Sequence, residues 1–142
     1  MSKILYSTSN EFNPDELKAL YDSVGWSSYT KDIQKLSRAI QNSDFVISAR
    51  DSESDQLIGL ARTISDRETI CYIQDILVHP EYQRHGVGRV LMHEIVTHYA
   101  ELRQMVLITD SEPRQKLFYE SLNFIEGSEY SPEAIKTFLL FR

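Results

Sequence analysis

Two glycines, Gly86 and Gly88, stand in the run Gln83, Arg84, His85, Gly86, Val87, Gly88 and Arg89. A β-rich segment ends just before this run, and an apolar stripe of helical period follows it. The start of a helix exposes backbone N–H groups without intrahelical partners and carries a partial positive charge. Glycine lets such a backbone approach an anion without an intervening Cβ. The chemistry this arrangement suits is the cradling of a phosphate, with Arg84 and Arg89 adding charge-assisted contacts. It also fits a plain strand-to-helix turn, because a short glycine motif is weak evidence by itself. Two nucleotide motifs are absent. No Gly-Lys-Ser/Thr is present, and Leu91 occupies the third glycine position of a dinucleotide fingerprint.

The elements that must position this loop follow from periodicity. Residues 4–7 read as a short first strand. Asn13 with Pro14 and Glu16 forms a helix-start signature, and Leu17, Leu20, Tyr21 and Val24 continue it at helical spacing. A second helix is expected over about 30–41, with Ile33, Leu36 and Ile40 on one face. Strands are expected at 45–49, 57–64 and 69–78, with Gly59 allowing a bulge or a close approach. Val87, Leu91, Ile95 and Leu102 mark the helix after the loop. A strand at 105–109, a helix opening at Pro113 and running to about 122, and strands starting at Phe124–Ile125 and at 137–141 complete the pattern. Strict alternation along 69–78 puts Cys71, Ile73, Asp75 and Leu77 on one face and Gln74, Ile76 and Val78 on the other. A bulge would shift that count. Strands alternating with helices and ending in paired strands indicate an α/β or α+β fold around a mixed sheet.

The 142 residues suit one domain over 1–142, and no linker, repeat or low-complexity tract divides them. The formal net charge of -6 argues against nucleic acid as a main partner and modestly favours a cationic substrate. One cysteine, Cys71, excludes an internal disulfide and suits a reducing compartment. No apolar run approaches the ~20 residues of a membrane span. The expectation is a cytoplasmic protein without a membrane partner. His79, His85, His93 and His98 lack metal-site spacing, so no metal is expected, and Cys71 reads as a buried strand residue rather than a nucleophile.

Three segments together are more specific than the loop alone. Gln83 to Gly88 resembles the Gln/Arg-x-x-Gly-x-Gly/Ala signature of the GCN5-related N-acetyltransferases (GNAT). Asp75, Ile76, Leu77, Val78, His79, Pro80, Glu81 and Tyr82 resemble that family's fourth strand and its exit. Phe118, Tyr119, Glu120, Ser121, Leu122, Asn123 and Phe124 resemble its Phe-Tyr-Glu-x-Leu-Gly-Phe element. Asn123 stands where the family usually has glycine, and Glu112 where it usually has asparagine. Residues 21–26 and 58–62 also resemble the subgroup of plant serotonin N-acetyltransferases and their bacterial relatives.

This resemblance implies a single-domain GNAT fold with a twisted, mixed and mostly antiparallel sheet flanked by helices. It implies acetyl-CoA as the donor, with its pyrophosphate on residues 83–89 and its pantetheine arm along the backbone of Ile76, Leu77 and Val78. It implies direct transfer to a primary amine, of a small molecule or a protein, in a ternary complex. Tyr119 matches the family's general acid, which protonates the departing thiolate; the alternative is a tyrosine packed in the core. Asp75 precedes the pantetheine segment and is a candidate general base, a group that orients the substrate, or half of a salt bridge. Tyr21, Trp26, Tyr29 and Arg62 are candidates to line the acceptor site, or simply pack a helix pair on the sheet. The resemblance also implies C-terminal strands able to pair two subunits as a homodimer. The rival functions are a non-catalytic acetyl-CoA sensor and an acetyltransferase acting on aminoacyl-tRNA.

Overall fold

A computed structural model describes residues 3–142. The chain falls into two compact units, Met1–Leu107 and Ile108–Arg142. The first unit contains, in order, β1 (Ile4–Ser7), α1 (Pro14–Ser23), α2 (Ser27–Thr30), α3 (Ile33–Gln41), β2 (Val46–Asp51), β3 (Leu57–Ser65), β4 (Ile70–Val78), α4 (Val87–His98) and β5 (Gln104–Leu107). Its five strands lie in the order β1-β2-β3-β4-β5. Every neighbouring pair is antiparallel except β4 and β5, which are parallel. The expected mixed, mostly antiparallel sheet flanked by helices is therefore present.

The first helix starts where local chemistry requires. The Asn13 side chain accepts from the Asp15 backbone N–H at 2.8 Å, and Glu16 reaches back to the Asn13 N–H at 3.0 Å. Replacing Asn13 with alanine should cost about 1 kcal/mol, readable as a lower urea midpoint at unchanged slope. The expected second helix begins later, at Ile33. Asp32 caps it by accepting from the Lys35 N–H, and the short turn α2 precedes it.

Leu17, Leu20 and Tyr21 of α1 and Leu36 and Ile40 of α3 form one core with Val46, Leu57, Leu60 and Leu77 of the sheet. The opposite face receives α4, whose buried residues are Val87, Leu91, Met92 and Ile95. Gly59 explains how closely α4 sits. A Cβ there would lie 3.2 Å from Val87 Cγ1 and 3.3 Å from the Ala49 Cβ, so the helix start is seated on a strand with no side chain in between. The helix ends at His98, and Leu102 lies beyond it in a turn closed onto Tyr99.

Strict alternation along β4 does not hold. Arg62 is opposite Asp75 and Thr63 is opposite Ile73, which leaves Gln74 as a bulge. Thr63 bonds Tyr99 behind α4, whereas Arg62 bonds Asp75 beside Tyr21 of α1. Opposed residues share a face, so Cys71 and Ile73 face α4 while Asp75 and Leu77 face α1 and α3.

The second unit contains α5 (Pro113–Glu120) and a 3-10 turn (Gly127–Glu129). Among its residues no strand forms, so the expected strands at Phe124–Ile125 and at 137–141 are absent. At the first, Asn123 takes a left-handed φ of 71°, and the Phe124 N–H turns back to the Tyr119 carbonyl to close the helix. At the second, β-forming composition finds no neighbouring strand within the unit, and a strand without a partner has no ladder to join.

Candidate functional site

The 3-10 turn Pro80–Tyr82 and the loop that follows are held at the end of β4 by three contacts. The His79 side chain accepts from the Glu81 N–H at 3.1 Å. Gln83 donates to the Val78 carbonyl at 3.0 Å. Tyr82 donates to Asp51 on β2 at 2.5 Å. Gln83 thus ties the loop to the strand. Arg84 and Gly86 both have left-handed φ, of 68° and 81°. Gly86 is the N-cap of α4, and no side chain caps that helix. A Cβ placed on Gly86 would meet nothing within 4 Å. The first turn of α4 therefore presents its N–H groups to an open position that a phosphate can occupy.

The β4 edge beside this loop has a second opening. β5 pairs only with residues 70–73 of β4, and the ladder stops at the Gln74 bulge. Among the described residues, 75–78 pair with a strand on the β3 side alone, and the bulged Gln74 pairs with neither neighbour. Ile76, Leu77 and Val78 thus border a slot where an extended chain bearing amides can add as a strand.

Asp75 lies where β4 leaves the bulge, and it is 3% exposed. Its Oδ2 accepts from Arg62 Nε at 2.6 Å and from the Tyr21 hydroxyl at 2.9 Å. Its Oδ1 accepts from the Tyr29 hydroxyl at 2.7 Å. Gln74 Nε2 donates to the same Tyr29 oxygen at 2.9 Å, and Arg62 Nη1 donates to Ser43 Oγ at 3.3 Å. Burial and the Asp75 charge raise the Tyr21 phenol well above its ordinary value and raise that of Tyr29, so both stay protonated donors. Burial alone would lower the Arg62 pKa, but the Asp75 charge and hydrogen bond leave it raised.

The four expected acceptor-site residues are therefore brought together, though not as an open lining. Tyr21 is wholly buried and Arg62 is 5% exposed, both committed to Asp75. Trp26 and Tyr29 are half-buried, and the rings of Tyr21, Trp26 and Tyr29 meet edge-on or tilted at 5.2–6.3 Å between centroids. Gln74 and Tyr82 were not singled out in the sequence. A polar side chain inside the apolar run of β4 was the available signal for Gln74. Nothing local marked Tyr82, because its partner is 31 residues away.

In the second unit, Tyr119 is 8% exposed, and its ring packs edge-on against Phe118 and Phe124. Burial, with the Asp110 charge, pushes its phenol up to about 12. It therefore carries its proton throughout the physiological range, as a general acid must. Glu112 caps α5 by accepting from the Arg114 N–H. Cys71 is fully buried and its thiol is pushed up to about 12, which removes thiolate chemistry at neutral pH.

The first unit thus combines a mixed sheet, a helix start with no side-chain cap at the end of β4, and a buried polar cluster around Asp75. The acetyltransferase (GNAT) domain model matches residues 9–139. The chain is 30% identical over 138 residues to an uncharacterized N-acetyltransferase of Porphyra purpurea, covering 96% of this chain and 76% of that protein. A GNAT-family acetyltransferase from Streptococcus pneumoniae superposes with a TM-score of 0.84 at 26% identity, covering 99% of this chain and 98% of the other. An aminoglycoside N-acetyltransferase, solved in complex with CoA, shares the fold with a TM-score of 0.72 at 14% identity, covering 100% and 96%. The chain belongs to the GNAT acetyltransferase family and is an N-acetyltransferase. Among the described residues no helix is long and apolar enough to cross a membrane.

Proposed function

We propose that this protein transfers the acetyl group of acetyl-CoA to a primary amine by direct attack in a ternary complex. The observation that carries the reading is the adjacency of the uncapped α4 start at Gly86 to the β4 edge at 74–78, which pairs with no strand on its β5 side. The pyrophosphate lies against the backbone of Arg84 to Arg89, and the pantetheine arm runs along Ile76, Leu77 and Val78, of which Ile76 and Val78 turn their N–H groups to the open edge. The His79 N–H donates to the Ile58 carbonyl, so two residues earlier the Leu77 N–H also turns to β3. The resemblance's expectation that Leu77 faces the thioester oxygen gives way to the edge-facing N–H of Ile76 or Val78, which stabilises the charge that develops there. Tyr119 supplies the proton to the departing thiolate. Its assignment rests on the Phe118–Phe124 motif and on its protonated state.

The aromatic cluster of Trp26 and Tyr29 favours an amine with a flat or cationic body, consistent with the subgroup resemblance. The single, deeply buried cysteine supports a reducing compartment, the cytoplasm in our reading. The exposed apolar side chains of Phe138, Leu139, Leu140 and Phe141 support a homodimer.

Acetyl-CoA binding is tested by thermal shift. A ligand at a hundred times its Kd adds about 2.7 kcal/mol to the wild type, a rise of several degrees in Tm. Gly86→Val puts a branched side chain into the open position and strains a left-handed backbone, so most of that rise should vanish. A variant with wild-type circular dichroism that keeps the full rise would remove the cradle assignment. Turnover is read as free thiol released from acetyl-CoA with a panel of amines.

A further inference from the structure

The hydrogen bonds around Asp75 fix the direction of each proton in the cluster. A carboxylate only accepts, so Tyr29 must donate its single proton to Oδ1. Gln74 must then present its amide N–H to the Tyr29 oxygen, as it does at 2.9 Å. A phenol oxygen donates its one proton and carries two lone pairs, one in the ring plane and a weaker one conjugated with the ring, and Gln74 takes one of them. One acceptor position remains. Asp75, Arg62 and Tyr21 are buried, and Tyr29 alone among the groups bonded to Asp75 through a phenol reaches the surface. Its hydroxyl bonds Gln74, the bulged residue two positions before Ile76 at the border of the slot.

We propose that the Tyr29 oxygen receives an N–H of the acceptor amine, and that Asp75 is a positioning residue acting through Tyr29 by fixing which way its proton points. This rests on the acetyltransferase reading above. The site then recognises a hydrogen-bond donor by polarity rather than by net charge, because the charge of Asp75 is already matched by Arg62. No proton passes to Asp75 in this arrangement, which separates the proposal from a general-base role.

The two roles respond differently to Asp75→Asn. Arg62 Nε still requires an acceptor, so the asparagine carbonyl stays on Arg62 and its NH2 turns to Tyr29. Tyr29 then receives two N–H donors and turns its own proton outward, facing the amine donor to donor. Steady-state kinetics would be measured by thiol release from acetyl-CoA, with phenethylamine, cadaverine and Nα-acetyl-lysine methylamide as probes. Tyr29→Phe should raise KM for the best of these about tenfold, with a smaller change in kcat and an unchanged Kd for acetyl-CoA. Asp75→Asn should raise KM further than Tyr29→Phe. The double variant should return to the Tyr29→Phe value, because a phenyl ring has no polarity to reverse.

If Asp75 were the base, the double variant would be at least as impaired in kcat as Asp75→Asn alone, and that result overturns the proposal. If Asp75→Asn does not fold, Tyr29→Phe decides by itself: an unchanged KM overturns the proposal, and a raised KM with normal acetyl-CoA binding supports it. A wild type that releases no thiol with any probe overturns the acetyltransferase reading, and this proposal falls with it. Wild-type turnover with an unaltered Tyr29→Phe overturns the proposal alone.

Discussion

Tyr119→Phe should lower kcat by about 10²–10⁴-fold and leave the Kd of acetyl-CoA nearly unchanged. The phenylalanine keeps the ring that packs against Phe118 and Phe124, so the helix and its packing are retained. Only the hydroxyl is lost, and its proton matters as the thiolate departs. Because burial holds the phenol at about 12, the acid form persists well above neutral pH. The wild-type pH–rate profile should therefore show no tyrosine-like fall below about pH 11. Rapid-quench measurement of the first turnover separates the chemical step from product release. A first-turnover rate equal to the wild type's would remove Tyr119 from the acid role.

The largest effect on stability is expected at Arg62. Arg62 and Asp75 form a buried ion pair, with 6% and 2% of their side-chain surfaces exposed. Arg62→Leu leaves the Asp75 carboxylate in the interior with two phenol donors and no cation, which should cost about 3–5 kcal/mol. Such a loss is a large share of the stability of a domain of this size. The double variant Arg62→Leu/Asp75→Leu removes both charges and should recover much of the deficit. It also leaves the hydroxyls of Tyr21 and Tyr29 without their acceptor, so recovery should be incomplete. Urea denaturation of the wild type, Arg62→Leu, Asp75→Leu and the double variant gives the coupling between the two residues. A single variant within 1 kcal/mol of the wild type would show that the pair contributes little to the fold.

Much of the polypeptide was readable locally. The start of α1 is written in Asn13, Pro14 and Glu16, whose bonds span no more than three residues. The glycine start of α4 was legible for the same reason, since a glycine at a helix start acts through its own backbone. The approach permitted by Gly59 was also foreseen, though its partner Val87 was not, because the two meet only when α4 lies on the sheet. Asn123, which stands where the resembled family has glycine, takes a left-handed φ of 71°, a conformation asparagine reaches more readily than most residues.

Tertiary structure alone decided the rest. Which face Asp75 occupies depends on a single bulged residue, and a period-two pattern cannot reveal where a ladder skips. Apolar composition at 137–141 suggested a strand, but a strand exists only when another edge is available to bond it. The sequence by itself determined the Asn13 cap of α1 and the glycine start of α4, because each depends on neighbours a few bonds away. The network joining Tyr21, Tyr29, Arg62 and Asp75 spans contacts of 13 to 54 residues, and only the folded sheet and its covering helices bring those groups within hydrogen-bonding distance.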